Sequence, residues 1–189
     1  MKTLRTMAAA LALVALATVT AGAAPTIGVY FDDQMQIDQT AVDPLQQFNI
    51  YVILSSINDR IDAVEYRLNL PPQVAVTGTT FGGAQPLDLG SSQHGTLLGL
   101  GSCENVYDAL QGQETFVVAV LQAIAVTTFE STPITITKFT GGTEAPSVNA
   151  PRYSSCDNQV YEMSTTQASL TGGVATLDRS FGAVKALFE

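Results

Sequence analysis

Four aspartates follow a short apolar run near the start of the chain. The segment TIGVYFDD, residues 26–33, ends on the adjacent pair Asp32 and Asp33, and Asp38 and Asp43 follow soon after. Such carboxylates would coordinate calcium, perform acid/base chemistry, or end a β-strand in solvent. Adjacent strand residues point to opposite faces, and DDQMQID lacks the spacing of an EF-hand loop. We therefore favour solvated strand-end and turn aspartates, and keep Asp32, Asp33 and Asp38 as calcium candidates.

Two cysteines and one histidine supply the remaining reactive side chains. In an exported chain, Cys103 and Cys156 would form a disulfide, and free buried thiols are the alternative. His94 has no CxxC or HxxxH companion for a zinc site. It lies in the turn-like segment SSQHG without a GxSxG elbow, so we predict a surface-loop histidine and not a serine-hydrolase base.

Two further kinds of site depend on the fold. Paired carboxylates for glycoside hydrolysis are defined by their separation in space, which the sequence does not give. The chain has no tryptophan, the residue best suited to stacking on sugars. Tyr51, Tyr107, Tyr153 and Tyr161 are candidate glycan contacts. Tyrosines in apolar strands more often pack in a core or at a sheet rim, which is the interpretation we favour.

The first 23 residues have the three parts of a secretory signal peptide. Lys2 and Arg5 precede an uncharged apolar run over residues 7–19, and the small-residue stretch TAGAAP follows. A buried N-terminal helix is the alternative. Cleavage after Ala23 would leave 189 − 23 = 166 residues and change the formal charge from −9 to −11 through the loss of two cations. This acidity disfavours nucleic acid and anionic membranes as partners, and no later segment is apolar enough to span a bilayer.

The rest of the chain has the pattern of a β-protein. Residues 64–70 alternate apolar and polar side chains with a period of two, as in a half-buried strand. Residues 116–126 are nearly all apolar and predict a central strand, with a helix as the alternative. The other predicted strands cover residues 26–31, 48–54, 74–81, 96–100, 134–137, 160–163 and 167–170. Residues 104–110 would form one or two helical turns. Many short strands with Gly/Pro-rich turns predict an all-β, antiparallel β-sandwich of immunoglobulin-like, cohesin-like or jelly-roll type.

The sequence therefore divides into a signal peptide (1–23), a β-sandwich domain (24–173) and a C-terminal segment (174–189). In the last segment Phe181, Val184 and Leu187 have helical spacing, with Ser180 as a candidate N-cap. We predict either a short docking helix or a tail used for sorting or assembly.

The order of several segments resembles a known group of proteins. A leader followed by TIGVYFD, FNIYVIL, VEYRLNLP, GTLLGLGSC, APRYSSCDN and FGAVKALF resembles uncharacterised exported β-sandwich proteins of environmental bacteria. More loosely, the pattern is similar to cohesin-type and other immunoglobulin-like secreted modules. In that comparison FNIYVIL and VEYRLNLP would be successive sandwich strands.

These observations lead to two hypotheses on function. The first is an exported, non-catalytic β-sandwich that binds a protein or glycan through its surface, or forms part of an extracellular assembly, without a required cofactor. The second is a secreted carboxylate-dependent hydrolase, with or without calcium. Both place the protein outside the cytoplasm, secreted or in the periplasm or cell envelope.

Overall fold

Strands make up all the regular structure that can be described. The computed structural model describes residues 24–57, 59–91, 95–105, 115–141 and 149–172, so the signal-peptide and C-terminal predictions lie outside it. None of these residues forms a helix long and apolar enough to cross a membrane. The strands are β1 (Thr26–Tyr30), β2 (Gln39–Val42), β3 (Gln47–Ser55), β4 (Arg60–Asn69), β5 (Val74–Phe81), β6 (Leu87–Asp88), β7 (Thr96–Asn105), β8 (Thr115–Ala125), β9 (Phe129–Thr137), β10 (Arg152–Ser155), β11 (Val160–Glu162), β12 (Ser164–Thr166) and β13 (Ala168–Gly172).

The strands form two mixed sheets. The first sheet has five strands in the order β12-β1-β3-β8-β5. The second sheet has the order β11-β10-β4-β9-β13-β2, and the β6-β7 ribbon joins it through β4. Strand β4 pairs with β7 on one side and β10 on the other over residues 61–65, and with β9 over Arg67, Leu68 and Asn69. It is therefore the strand around which the second sheet is organised.

The predicted all-β sandwich is confirmed, with one correction to strand direction. Most pairs are antiparallel, but β12 runs parallel to β1 and β13 runs parallel to β2. The chain crosses from the first sheet to the second between β12 and β13, next to Gln167. Each parallel pair joins an early strand to a late one. Hydrophobic alternation reports which face a residue occupies and not the direction of its neighbour, so the sequence could not reveal these pairs.

The core lies between the sheets. Inward side chains from the first sheet meet those from the second, as in two sheets packed face to face. They include Ile27, Val29, Ile50, Val52, Leu54, Leu121 and Ala123 from the first sheet, and Ile61, Val64, Tyr66, Leu98, Leu100, Ile134 and Leu170 from the second. The Tyr66 ring is buried among them, and burial raises the pKa of its hydroxyl, with the negative charge of Asp88 adding to the increase.

The two clearest strand predictions are confirmed. In β4 the alternating residues Val64 and Tyr66 are buried, while Glu65 and Arg67 are partly exposed. Strand β8 lies between β3 and β5, which removes the helix alternative for residues 116–126. Its inward residues Leu121 and Ala123 are buried, whereas Gln122 on the outer face is exposed, so the strand is fully buried on one face and not on both. The predicted helical turn at 104–110 begins on Glu104, which belongs to β7, and its residues from 106 onward lie outside the described ranges.

Candidate functional site

Asp32 closes the loop that follows β1. Its Oδ1 atom accepts hydrogen bonds from the backbone N–H groups of Gln36 and Ile37, each at 2.9 Å. Asp33 Oδ1 accepts a bond from the side chain of its neighbour Gln34 at 3.2 Å. Within the ranges given above, no group of three His, Cys, Asp or Glu residues is placed to hold a metal ion. The calcium assignment to Asp32, Asp33 and Asp38 stays a prediction.

Cys103 and Cys156 form a disulfide that spans β4. Their Cα atoms are 5.8 Å apart. Cys103 precedes Glu104, and Cys156 follows Ser155; both Glu104 and Ser155 pair with Ile61 of β4, from opposite sides. The bond therefore ties β7 to β10 across the central strand of the second sheet.

The candidate aromatic contacts are separated by the fold. Tyr153 is 5% exposed and stacks on Tyr161, which is 42% exposed, with ring centroids 5.1 Å apart. Burial raises the pKa of the Tyr153 hydroxyl, and the charge of Asp59 adds to the shift. Tyr51 lies in β3 of the first sheet, far from this pair in strand order. Tyr107 and His94 lie outside the described residues.

A row of small side chains crosses the outer face of the second sheet. Residues paired directly across strands share a face, and Ala63 alternates with buried Val64, so this row points away from the core. The paired residues, in order across β6, β7, β4, β10 and β11, are Leu87, Gly99, Ala63, Ser154 and Val160. Leu87 and Val160, at the two ends, are each 60% exposed. The row therefore has a low centre between two raised apolar ends.

The neighbouring row provides charge. Leu97, Glu65, Arg152 and Glu162 are paired in that order across β7, β4, β10 and β11. Arg152 Nε donates to Glu65 Oε1, and the two side chains are 21% and 19% exposed. This ion pair forms one wall beside the low centre of the first row.

Together the two rows enclose a shallow groove. It has a volume of about 220 Å³ and is lined by Ala63, Val64, Glu65, Leu97, Arg152, Tyr153, Ser154 and Val160. Gly99 continues the floor of the groove, and a Cβ atom added there would meet only the Leu87 carbonyl oxygen, at 3.8 Å. We call this surface the groove. The sequence analysis did not identify it, because its members lie on four separate strands.

Solved structures with a similar fold are cohesin domains. A type I cohesin from Clostridium thermocellum, solved in a cohesin–dockerin complex, is 11% identical, with 78% of this chain and 99% of that chain covered and a TM-score of 0.50. The seventh ScaB type I cohesin of Pseudobacteroides cellulosolvens is 12% identical, with coverages of 82% and 96% and a TM-score of 0.50. CaCohA2 of Clostridium acetobutylicum is 8% identical, with coverages of 81% and 93% and a TM-score of 0.50.

Comparison of the sequence alone identified no relative of this chain. No protein-family model matches the chain, and no curated protein matches it. At these identities the structural matches bear on the fold. The chain has a cohesin-like, all-β sandwich fold.

Proposed function

We propose that this protein is a non-catalytic module that binds a protein partner in an extracellular assembly, through the groove on its second sheet. The observation that carries the proposal is the combination of exposed Leu87 and Val160 with a floor of small residues and the Glu65–Arg152 pair. Protein interfaces commonly join an apolar centre to a polar rim, and arginine is enriched in them relative to the rest of the surface.

The size of the groove favours a protein over a small molecule. Small-molecule pockets usually enclose about 300–1,000 Å³ and bury most of the ligand surface. The groove has about 220 Å³ and lies open on a sheet face. A protruding apolar side chain of a partner would fit between Leu87 and Val160, while the ion pair would orient polar groups around it.

The arrangement of carboxylates supports a binding role over hydrolysis. Retaining and inverting glycoside hydrolases use two carboxyl groups on either side of the scissile bond. Among the described residues that line the groove, Glu65 is the one carboxylate, and Arg152 engages it. Glu162 pairs with Arg152 at the end of the same row and lies outside the lining. The solved C. thermocellum cohesin, which shares this fold, is bound to a dockerin, and that supports a protein as the class of partner here.

The disulfide is consistent with export. Disulfides persist in the periplasm and outside the cell, and Cys103 and Cys156 form one. The signal peptide at residues 1–23 stays a prediction, and N-terminal sequencing of the protein from producing cells would test cleavage after Ala23.

Two substitutions of Gly99 test the proposal. Gly99→Leu would place a large side chain over the floor of the groove, whereas Gly99→Ala adds one methyl group that the structure accommodates. The exported protein, immobilised, would be used to capture and cross-link partners from the secreted and envelope fractions of the producing cells. We expect one protein to be retained by the wild type and by Gly99→Ala and lost with Gly99→Leu. Equal retention by all three forms, or turnover of a glycan that Glu65→Gln abolishes, would contradict the proposal.

A further inference from the structure

The two sheets differ sharply in charge. The chain carries 8 Lys and Arg and 17 Asp and Glu residues, yet none of these lies in the strands of the first sheet. By contrast, the second sheet contains charged residues on β4, β6, β7, β9, β10 and β11. An acidic protein thus presents one uncharged sheet. Its outer face therefore offers no charged side chain to a ligand.

Tyr30 lies over a glycine on that outer face. A Cβ atom at Gly28 would collide with the Thr166 hydroxyl and come 2.7 Å from Tyr30 Cε2 and 2.9 Å from the Tyr30 hydroxyl oxygen, so these two side chains occupy the space above Gly28. Gly28 does not have a positive φ, and its role is to leave room and not to permit an unusual backbone. The Tyr30 hydroxyl lies 3.2 Å from Thr166 Oγ1 of β12, which fixes the outer end of the ring.

A second tyrosine and two amides continue the same face. Tyr51 of β3 pairs directly with Tyr30, so the two rings share a face of the sheet. Asn49, two residues before Tyr51, pairs with Gln122 of β8, and both amide residues are exposed. Gln122 pairs in turn with Gly78 of β5, where an added Cβ would meet Gln122 Oε1 at 3.3 Å. Here again a glycine leaves room for a neighbouring polar side chain.

We propose that this surface, which we call the neutral platform (Tyr30, Tyr51, Asn49 and Gln122), binds a strand of uncharged polysaccharide. The apolar faces of sugar rings would pack on the two tyrosine rings, and the amides would donate to and accept from sugar hydroxyls. Because no residue in the strands of this sheet is charged, we expect the polysaccharide to be neutral. An acidic polysaccharide would be repelled by the net charge of −9.

The neutral platform is independent of the groove. It lies on the first sheet, whereas the groove lies on the outer face of the second, with the core between them. The proposal therefore does not rest on the proposed protein-binding function, and the two sites can be tested separately. A module with both sites would hold a protein partner on one side and a glycan on the other.

Affinity electrophoresis tests the platform directly. The exported protein would be run through native gels containing hydroxyethylcellulose or xyloglucan as neutral probes, and polygalacturonate as an acidic one. We expect retardation by a neutral probe and none by polygalacturonate. Tyr51→Ala and Gln122→Ala should each weaken the apparent affinity about fivefold or more, whereas Tyr51→Phe should retain it. Gln122 is exposed, so Gln122→Ala keeps the test valid if Tyr51→Ala fails to fold.

Two controls separate the alternatives. Tyr161→Ala changes an exposed tyrosine on the second sheet, and Gly99→Leu changes the groove; neither should alter retardation. Analytical ultracentrifugation of the wild type and Gln122→Ala would reveal a second copy of this chain on the same face. The proposal is overturned if no neutral probe retards the protein, if the Tyr51→Ala and Gln122→Ala variants are retarded like the wild type, or if a dimer dissociates with Gln122→Ala.

Discussion

Loss of the Cys103–Cys156 disulfide should destabilise the protein strongly. The bond closes a sequence separation of 53 residues. In the chain-entropy model, a loop of that size removes about 14 cal/mol/K from the unfolded ensemble, or about 4 kcal/mol at 25 °C. The native geometry should change little, because Ile61 of β4 pairs with both flanking strands and holds β7 and β10 in place without the bond.

The assay is equilibrium unfolding in urea. Far-UV circular dichroism monitors the transition, because the chain has no tryptophan. The double variant Cys103→Ser/Cys156→Ser should lose about 4 kcal/mol of unfolding free energy. For a domain of this size, that corresponds to a melting temperature lower by about 8–16 °C. The urea m-value should rise, since an unfolded chain without the cross-link exposes more surface.

The control is the wild-type protein reduced with dithiothreitol, which should reach the stability of the double variant. A loss below about 1 kcal/mol, with the disulfide confirmed in the wild type by mass spectrometry, would refute the reasoning from chain entropy. If the double variant fails to fold, dithiothreitol should unfold the wild type as well, and a fully reduced wild type that keeps its stability would contradict the prediction.

Three further predictions concern the buried tyrosine, the neutral platform and the groove. Burial raises the pKa of Tyr66, so folding favours the neutral phenol. The resulting stabilisation is complete below the pKa of about 10 in the unfolded chain, and it is lost as the pH rises above that value. Urea titrations at pH 8 to 11 should show this loss in the wild type and not in Tyr66→Phe. Gly28→Val should displace the Tyr30 ring and lower the free energy of unfolding by about 1–3 kcal/mol, measured by thermal melts. An unchanged melting temperature would argue against the packing described. Arg152→Met should cost about 1–2 kcal/mol because Glu65 loses its partner, and the double variant with Glu65→Gln should recover part of that loss in urea unfolding.

Alternation and composition were sufficient to predict the main strands. The period-two pattern of β4 identifies a strand and the face it buries. The apolar run of β8 identifies a central strand but suggests burial on both faces, whereas the structure buries only one of them fully. Strands β2, β6, β10 and β12 were not predicted. They have two to four residues each and are mostly polar, so too few positions exist for a periodic signal. Pro133, expected to precede a strand, lies inside β9, where it pairs with Ser169.

The candidate sites were much less predictable than the fold. Ala63, Gly99 and Ser154 carry no chemical signal of their own, and only the register across three strands brings them together. Tyr51 was recognised as a candidate glycan contact, but its partner Tyr30 was not, because their pairing depends on how β1 lies against β3. Sequence reasoning did identify the two cysteines, since export gives a reason for them to pair.

The affinity of the captured partner for the Gly99 variants is the most direct test of the proposed function. Isothermal titration would compare the wild type, Gly99→Ala and Gly99→Leu, after circular dichroism has established that all three are folded. We expect the wild type and Gly99→Ala to agree within about twofold, and Gly99→Leu to bind about tenfold or more weakly, because its side chain fills the groove. Equal affinity of all three forms would contradict protein binding through the groove.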